Sequence, residues 1–363
     1  MGKKILVSPL SWGLGHATRD LPIIRRLLAD GHDVTIASSG RAMELLKQEV
    51  PQCRFLTLED YPTPYTRSRW FVLKFAAFIP RMLRAIRRER LAARRLIEQE
   101  RFDLVVADNR FGVHHPKVPS FFISHQLRFA APWFLYPFQL GGELFNRLHH
   151  RRFLRVIVPD VADEDRNLSG ILAHRLHWPS RRRYHYAGIL SSTERMDVEE
   201  DVGLFISISG PEPQRSEFER IVMSQLPALA GMGRVVITLG KPEVTQMSRP
   251  AANVEVYGFL NRRQQQEMMN RARLIVSRSG YTTVMEIAEL GKKALFIPTP
   301  GQTEQVYLSK YYEETGLFHS VSQYRLDLAR DVERARSYVG VADLPTTAEN
   351  VDRLFAEVFA PYL

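Results

Sequence analysis

Cysteine is almost missing from this chain of 363 residues, which holds only Cys53. A single thiol excludes an intramolecular disulfide and a cysteine-based zinc site, and it suits a reducing cytoplasm. Long apolar runs are missing too. No stretch reaches the roughly 18 apolar residues of a membrane-spanning helix. The N-terminus, MGKKILVSPL, carries two lysines and a short apolar run that ends in Ser and Pro, so it predicts a first strand and not a secretion signal. No Asp-x-Asp follows a strand to hold magnesium, no His-x-x-x-His or Cys pair suggests zinc, and no metal is expected. Internal repeats and low-complexity tracts are absent. No helix-turn-helix, RNA-binding aromatic motif or zinc finger is present, so no nucleic-acid partner is expected.

What remains is ordinary in bulk, with 45% hydrophobic and 25% charged residues, and about two domains long. The charge is uneven. Residues 1–190 hold 31 Lys and Arg against 17 Asp and Glu, a balance of +14, and the remainder balances at −4. Arg67–Arg101 alone carries 11 basic and 3 acidic residues. Such asymmetry predicts an anionic partner for the N-terminal half.

Strand and helix signals alternate. Ile5–Ser8 predicts a strand and Ala17–Ala29 a helix, with Leu21, Ile24, Leu27 and Leu28 on one face. Val34–Ser38 and Arg54–Leu58 read as strands on either side of a helix at Arg41–Gln48. Residues 67–100 predict a long basic helical segment with a break near Pro80. Leu104–Ala107, Ser120–Ser124 and Leu154–Val158 are further buried strands. The polar, aperiodic residues 191–201 predict a linker. A second series follows: strand Leu204–Ile208, helix Ser216–Leu229, strands Arg234–Leu239 and Val254–Tyr257, and helix Asn261–Ala272. This alternation predicts an α/β fold with parallel sheets covered on both faces.

Chemistry concentrates at strand ends. Residues 277–305 read SRSGYTTVMEIAELGKKALFIPTPGQTEQ. A strand at Leu274–Val276 runs into Ser279-Gly280, where glycine lets backbone N–H groups approach a diphosphate. The following helix carries Glu286, whose carboxylate either accepts both hydroxyls of a ribose or pairs with Lys292 or Lys293 on the surface. Gly13-Leu14-Gly15-His16 follows the first strand. The glycines permit a tight turn, and His16, with an ordinary pKa near ~6.5, is either a general base or a helix cap. Asp108, ahead of Asn109 and Arg110, and His125-Gln126 also stand at strand ends. Asp108 either acts on the acceptor, orients one of these histidines, or only bonds loop backbone.

The segment SRSGYTTVMEIAELGKKALFIPTP, with EQVY shortly after, resembles the C-terminal signature of glycosyltransferase family 28. Gly13–His16 is similar to the same family's glycine-rich acceptor-side loop, in the right order and roughly 260 residues upstream. The family includes the bacterial transferase that completes the lipid-linked peptidoglycan precursor. The resemblance implies a GT-B fold, two Rossmann-like doubly wound domains facing across a cleft. Residues 1–190 would bind the acceptor and residues 202–345 the nucleotide sugar, and a C-terminal helix, 346–363, would cross back to the first domain.

The resemblance also implies roles. Gly13, Gly15, His125 and Gln126 fall on the acceptor side, with His16 or Asp108 as the base. Ser209, Gly210, Arg278, Ser279, Gly280 and Thr282 fall at the donor phosphates. Leu260 would read uracil through its amide and carbonyl, Glu286 would hold the ribose, and Gln305 the donor sugar. Two departures stand out: prolines flank Glu212 in the loop after Ser209-Gly210, and Gln305-Val306 replaces a pair of glutamines. The implied reaction moves a hexosyl or N-acetylhexosaminyl group from a UDP-sugar to a hydroxyl of a lipid-linked or glycolipid acceptor. It is inverting and metal-independent, with Arg278 or Arg19 helping to neutralise the departing UDP. The alternatives are a UDP-sugar 2-epimerase of the same fold and a non-catalytic nucleotide-sugar-binding protein. Arg67–Arg101, with Trp70, Phe71, Leu73, Phe75, Phe78, Ile79, Met82 and Leu83 among its arginines, either lies on an anionic membrane surface or is a core helix pair with a solvated basic face. The first reading makes the protein cytoplasmic and peripheral to the inner face of the membrane.

Overall fold

The computed structural model of the chain describes residues 2–62, 71–130, 136–180 and 182–363, with the backbone alone over 71–78. Contacts divide it into two compact units, Met1–Ser192 with Pro345–Leu363, and Thr193–Leu344.

The first unit runs β1 (Lys4–Pro9), α1 (Leu14–Ala29), β2 (Asp33–Ser38), α2 (Gly40–Glu49), β3 (Arg54–Thr57), α3 (Phe71–Glu100), β4 (Leu104–Asp108), β5 (Ser120–Ile123), α4 (Tyr136–His150), β6 (Arg155–Val158) and β7 (Tyr184–Tyr186). Its sheet has the order β3-β2-β1-β4-β5-β6-β7, parallel throughout. Ile5 and Val7 face one core and Leu6 the other. Burial on both faces is why these strands read as nearly unbroken apolar runs.

Two helices differ from expectation. Helix α1 begins at Leu14, three residues before the predicted start, with Gly13 extended (φ −177°) as its N-cap. Gly15 and His16 therefore occupy the first turn, where amides have no intrahelical acceptor to lose and a glycine costs least. Helix α3 runs through Pro80 without the predicted break. Proline removes one backbone donor there, and the helical segments on both sides keep their own hydrogen bonds.

The C-terminal segment belongs to the first unit. Thr346 and Glu349 form a capping box ahead of a helix at Thr347–Leu354, which widens into Phe355–Phe359. Val351, Leu354, Phe355, Val358 and Phe359 join Leu21 and Ile24 in one core, and Phe359 meets Phe121 edge-on at 4.9 Å.

The second unit runs β8 (Val202–Ser207), α5 (Gln214–Met223), β9 (Arg234–Thr238), β10 (Ser248–Ala251), β11 (Val254–Tyr257), α6 (Arg262–Arg271), β12 (Leu274–Ser277), α7 (Tyr281–Leu290), β13 (Lys293–Phe296), α8 (Thr303–Thr315), β14 (His319–Ser320) and α9 (Leu328–Arg336). The sheet order is β10-β11-β9-β8-β12-β13-β14, with β10 antiparallel at one edge. In each sheet the winding reverses beside the first strand, between β1 and β4 and between β8 and β12. Ligands of open α/β sheets bind at such switch points, beyond the carboxyl ends of the strands.

Candidate functional site

Helix α1 presents His16, Arg19 and Asp20 at spacings of three and four, hence on one face. That face meets the ends of β4 and β5. Arg19 Nε donates to Asp108 Oδ2 at 2.6 Å, Nη2 binds Asp108 Oδ1, and Nη1 lies 2.7 Å from His125 Nδ1. His16 Nδ1 lies 2.9 Å from Asp108 Oδ1 and 2.8 Å from Arg19 Nη2. The Asp108 and Arg19 side chains are sealed off, at 0% and 1% exposure, whereas His16 keeps 17%. His125 is buried as well. In this cluster His16 is the side chain open enough to touch a substrate.

Burial opposes charge on Asp108, yet Arg19 and His16 outweigh it and hold the carboxyl well below the usual range. Burial pushes His16 below its ordinary value, with Asp108 pulling it back and Arg19 reinforcing the drop. The ring is thus neutral at pH 7 and able to take a proton. Its reading as a base requires the tautomer with Nδ1–H donated to Asp108, because an Arg19 N–H donated to Nδ1 would leave the outer nitrogen protonated.

Asp20 escaped the sequence reading. It is fully buried, and its carboxyl lies against that of Asp108. Burial first, and then the charge of Asp108, raise its pKa well above the ordinary carboxyl value. The signal was present: Asp20 stands in the stripe Ala17, Leu21, Ile24 and Leu27 that buries α1.

The other candidates of the first unit divide. Gly13 is exposed, and a Cβ there would meet nothing within 4 Å. Gln126 is partly exposed, its amide donating to Ser124 Oγ at 3.1 Å. Arg19 is committed to Asp108 and His125 and is buried, which removes it as a cation for the leaving group. Arg110 is a buried cross-link, bound to Glu89 at 2.8 Å and Asp60 at 2.6 Å.

In the second unit, Gly280 caps α7 without a side-chain hydrogen bond, so the first-turn amide of Thr282 faces out of an uncapped helix. Glu286 lies further along the same helix. It is only partly exposed and makes no hydrogen bond among the described residues. Burial pushes its carboxyl up to about 7, against the pull of Arg262. Across the sheet end, neither the amide nor the carbonyl of Leu260 has a hydrogen-bond partner among the described residues. Gly258 lets this loop pass Val244, whose carbonyl oxygen would lie 2.0 Å from any added Cβ.

Three donor-side candidates turn out to be framework. Ser279 is fully buried; its hydroxyl donates to the Gln305 carbonyl (3.0 Å) and accepts from Ser309 (2.9 Å). Gln305 Oε1 accepts from the Thr299 amide at 2.8 Å and its Nε2 donates to Gln302, which folds the Pro-Gly loop. Arg278 is buried over the Phe218 ring and donates to the carbonyls of Ser209, Gln214, Ile297 and Pro298. Burial lowers it to about 10, so it stays charged, and no carboxylate offsets it among the described residues. This cation sits under Gly210 (φ +117°), a conformation that favours glycine. Beside them the buried Thr299 hydroxyl has no hydrogen-bond partner among the described residues, a group that sequence reading also missed. The N-terminus of α5 is already occupied: Glu212 accepts from the Ser216 amide and pairs with Arg215.

The basic segment is only partly visible. Residues 67–70, and the side chains of 71–78, lie outside the described residues. Ile79, Leu83 and Leu91 of α3 are exposed, as are Phe138, Leu144 and Leu148 on α4. Among the described residues no helix is long and apolar enough to cross a membrane, and no cluster of side chains could hold a metal ion.

Residues 214–337 match the glycosyltransferase family 28 C-terminal domain. An uncharacterized glycosyltransferase of Methanosarcina acetivorans is 22% identical over 390 aligned positions, covering 99% of this chain and 96% of its own. Among solved structures, MurG of Acinetobacter baumannii superposes with a TM-score of 0.57 at 15% identity, covering 98% of this chain and 99% of its own. The Streptomyces sp. SF2575 glycosyltransferase SsfS6, solved with thymidine diphosphate, gives 0.59 at 17% identity, covering 98% and 99%.

Proposed function

We propose that this chain, a GT-B glycosyltransferase of the family 28 type, transfers a hexosyl or N-acetylhexosaminyl group from a UDP-sugar to a hydroxyl of a lipid-linked or glycolipid acceptor. The observation that carries the donor reading is Glu286, a carboxylate that makes no hydrogen bond among the described residues, on the helix whose uncapped N-terminus follows Gly280. A diphosphate suits the Thr282 amide in the uncapped first turn of α7 and the charge of Arg278, which no carboxylate offsets among the described residues. Two ribose hydroxyls suit Glu286. The unbonded backbone of Leu260 suits the donor–acceptor edge of uracil. The thymidine diphosphate carried by a structural neighbour supports a nucleoside diphosphate in general, and a pyrimidine in particular.

For the chemistry, exposure selects His16 over Asp108. His16 removes the proton of the acceptor hydroxyl, the oxygen bonds to the anomeric carbon, and the bond from that carbon to UDP breaks on the opposite face. Configuration inverts. Asp108 stabilises the imidazolium, and UDP departs with its charge against the α7 amides and Arg278. No metal is needed in this scheme.

A membrane-borne acceptor is supported by the basic first half and by the solvent-facing Phe138, Leu144 and Leu148 on α4, followed by the exposed Arg151 and Arg152. On this reading the protein works at the inner, cytoplasmic face of the membrane. Calorimetric titration of the parent and Glu286→Gln with UDP tests the donor reading. Equal affinities for the two would refute it.

A further inference from the structure

We propose a second binding site in the first unit, for a phosphate or diphosphate group, in the cavity between α3 and residues 57–62. The cavity holds about 630 Å³. One stripe of α3 forms a wall: Arg81, Arg84, Ala85, Arg88 and Ala92 recur at three- and four-residue spacing, so three guanidinium groups share a side with two small residues between them. The alanines leave the space open. The floor is buried and shaped, by Leu58, Tyr61 and Glu89, which a plain solvated basic face would lack.

Charge favours an anion there. None of Arg81, Arg84 and Arg88 has a carboxylate partner among the described residues. The opposite wall does carry acids, but Glu89 and Asp60 are both held by Arg110, and Glu89 also binds the Tyr61 hydroxyl. Arg110 offsets one of those two charges, so with Glu59 two negative charges are left to face three arginines and the lining stays net positive. Guanidinium groups crowded on one wall repel one another, and a phosphate between them replaces that repulsion with charge-assisted, often bidentate, hydrogen bonds.

Position links the cavity to the chemistry. Asp60 Oδ1 accepts from the Ser11 amide at 3.2 Å, and Trp12 Nε1 donates to the Tyr61 carbonyl at 3.0 Å. The cavity wall is thus tied to the segment that leads into Gly13 and His16. The bound phosphate is that of the acceptor whose hydroxyl meets His16; this last clause rests on the transferase reading, and the anion site itself does not.

The test is calorimetric titration of the full chain with inorganic pyrophosphate, with UDP in excess to fill the nucleotide site. Binding is expected, weakened at least about tenfold by Arg84→Gln with Arg88→Gln, while UDP affinity is unchanged. Glu59→Gln should tighten pyrophosphate binding a few-fold, because it removes an opposing charge. A second arm uses phosphatidylcholine vesicles with and without phosphatidic acid. Co-sedimentation that falls with the double variant assigns the site to a lipid headgroup. Unchanged co-sedimentation with weakened pyrophosphate binding assigns it to a soluble phosphorylated acceptor. Pyrophosphate that does not bind the parent, or binds the double variant equally well, overturns the site. Failure of UDP to bind would refute the donor reading instead, and the double variant would still report on this cavity.

Discussion

Glu286→Gln should make the empty protein more stable and the liganded one weaker, with both effects dependent on pH. The folded carboxyl titrates near 7, where an ordinary glutamate titrates near 4.5. That difference corresponds to about 3 kcal/mol, and partial exposure lets water screen the charge, so about 1–3 kcal/mol is expected. The sign follows from a folded pKa raised above the unfolded one. Below pH 4.5 the group is protonated in both states and nothing is lost. As pH rises through 7 the folded state must carry a poorly solvated charge. The variant should therefore match the parent near pH 4 and exceed it by about 1–3 kcal/mol at pH 8. In UDP the order reverses, because a charged hydrogen bond to a ribose hydroxyl is worth roughly 1.5–3 kcal/mol. Parent affinity should climb as pH rises through 7, with a proton released on binding, and the variant should bind at least about tenfold more weakly at pH 8. Urea unfolding must be followed by circular dichroism, since Trp12, Trp70, Trp133 and Trp178 all precede the second unit in sequence. A variant no more stable than the parent at pH 8, or unchanged in UDP affinity, would refute the reasoning.

Three further outcomes are expected. His16→Ala should lower turnover by about 10²–10⁴ and leave UDP affinity within about twofold, as read by a UDP-release assay and calorimetry; an equal fall in donor affinity would contradict an acceptor-side role. Asp20→Asn removes a carboxyl that burial already disfavours as an anion, so it should keep stability within about 1 kcal/mol at pH 7, whereas Asp108→Asn leaves the buried Arg19 without its counter-charge and should cost about 3–5 kcal/mol by tryptophan-monitored unfolding. Phe359→Ala should cost about 3–5 kcal/mol in the same assay, because its ring is fully buried against Phe121.

Most strands were legible because burial on both faces leaves continuous apolar runs, as at Leu104–Asp108 and Leu274–Ser277. Helix α4 was not. Its Phe138, Leu144 and Leu148 face solvent, and Pro137 with Gly141-Gly142 breaks the helical pattern. Strands β7 and β10 are short edge strands, and β10 contains Pro250, which central strands exclude. In the donor region the backbone was readable, down to Gly280 ahead of a helix and Glu286 upon it. Side-chain direction was not: Ser279 turns to the Gln305 carbonyl on α8, a tertiary fact with no local signature, and Gln305 turns back onto the Thr299 amide. The same holds for Arg19 and Asp20, whose partners lie some 90 residues away on β4.

Amide hydrogen exchange with and without UDP tests the central claim most directly. The account predicts slowed exchange at Leu260 and at Gly280–Thr283, with the α1 amides around His16 unchanged. Absence of protection at both segments, or protection confined to the first unit, would contradict it.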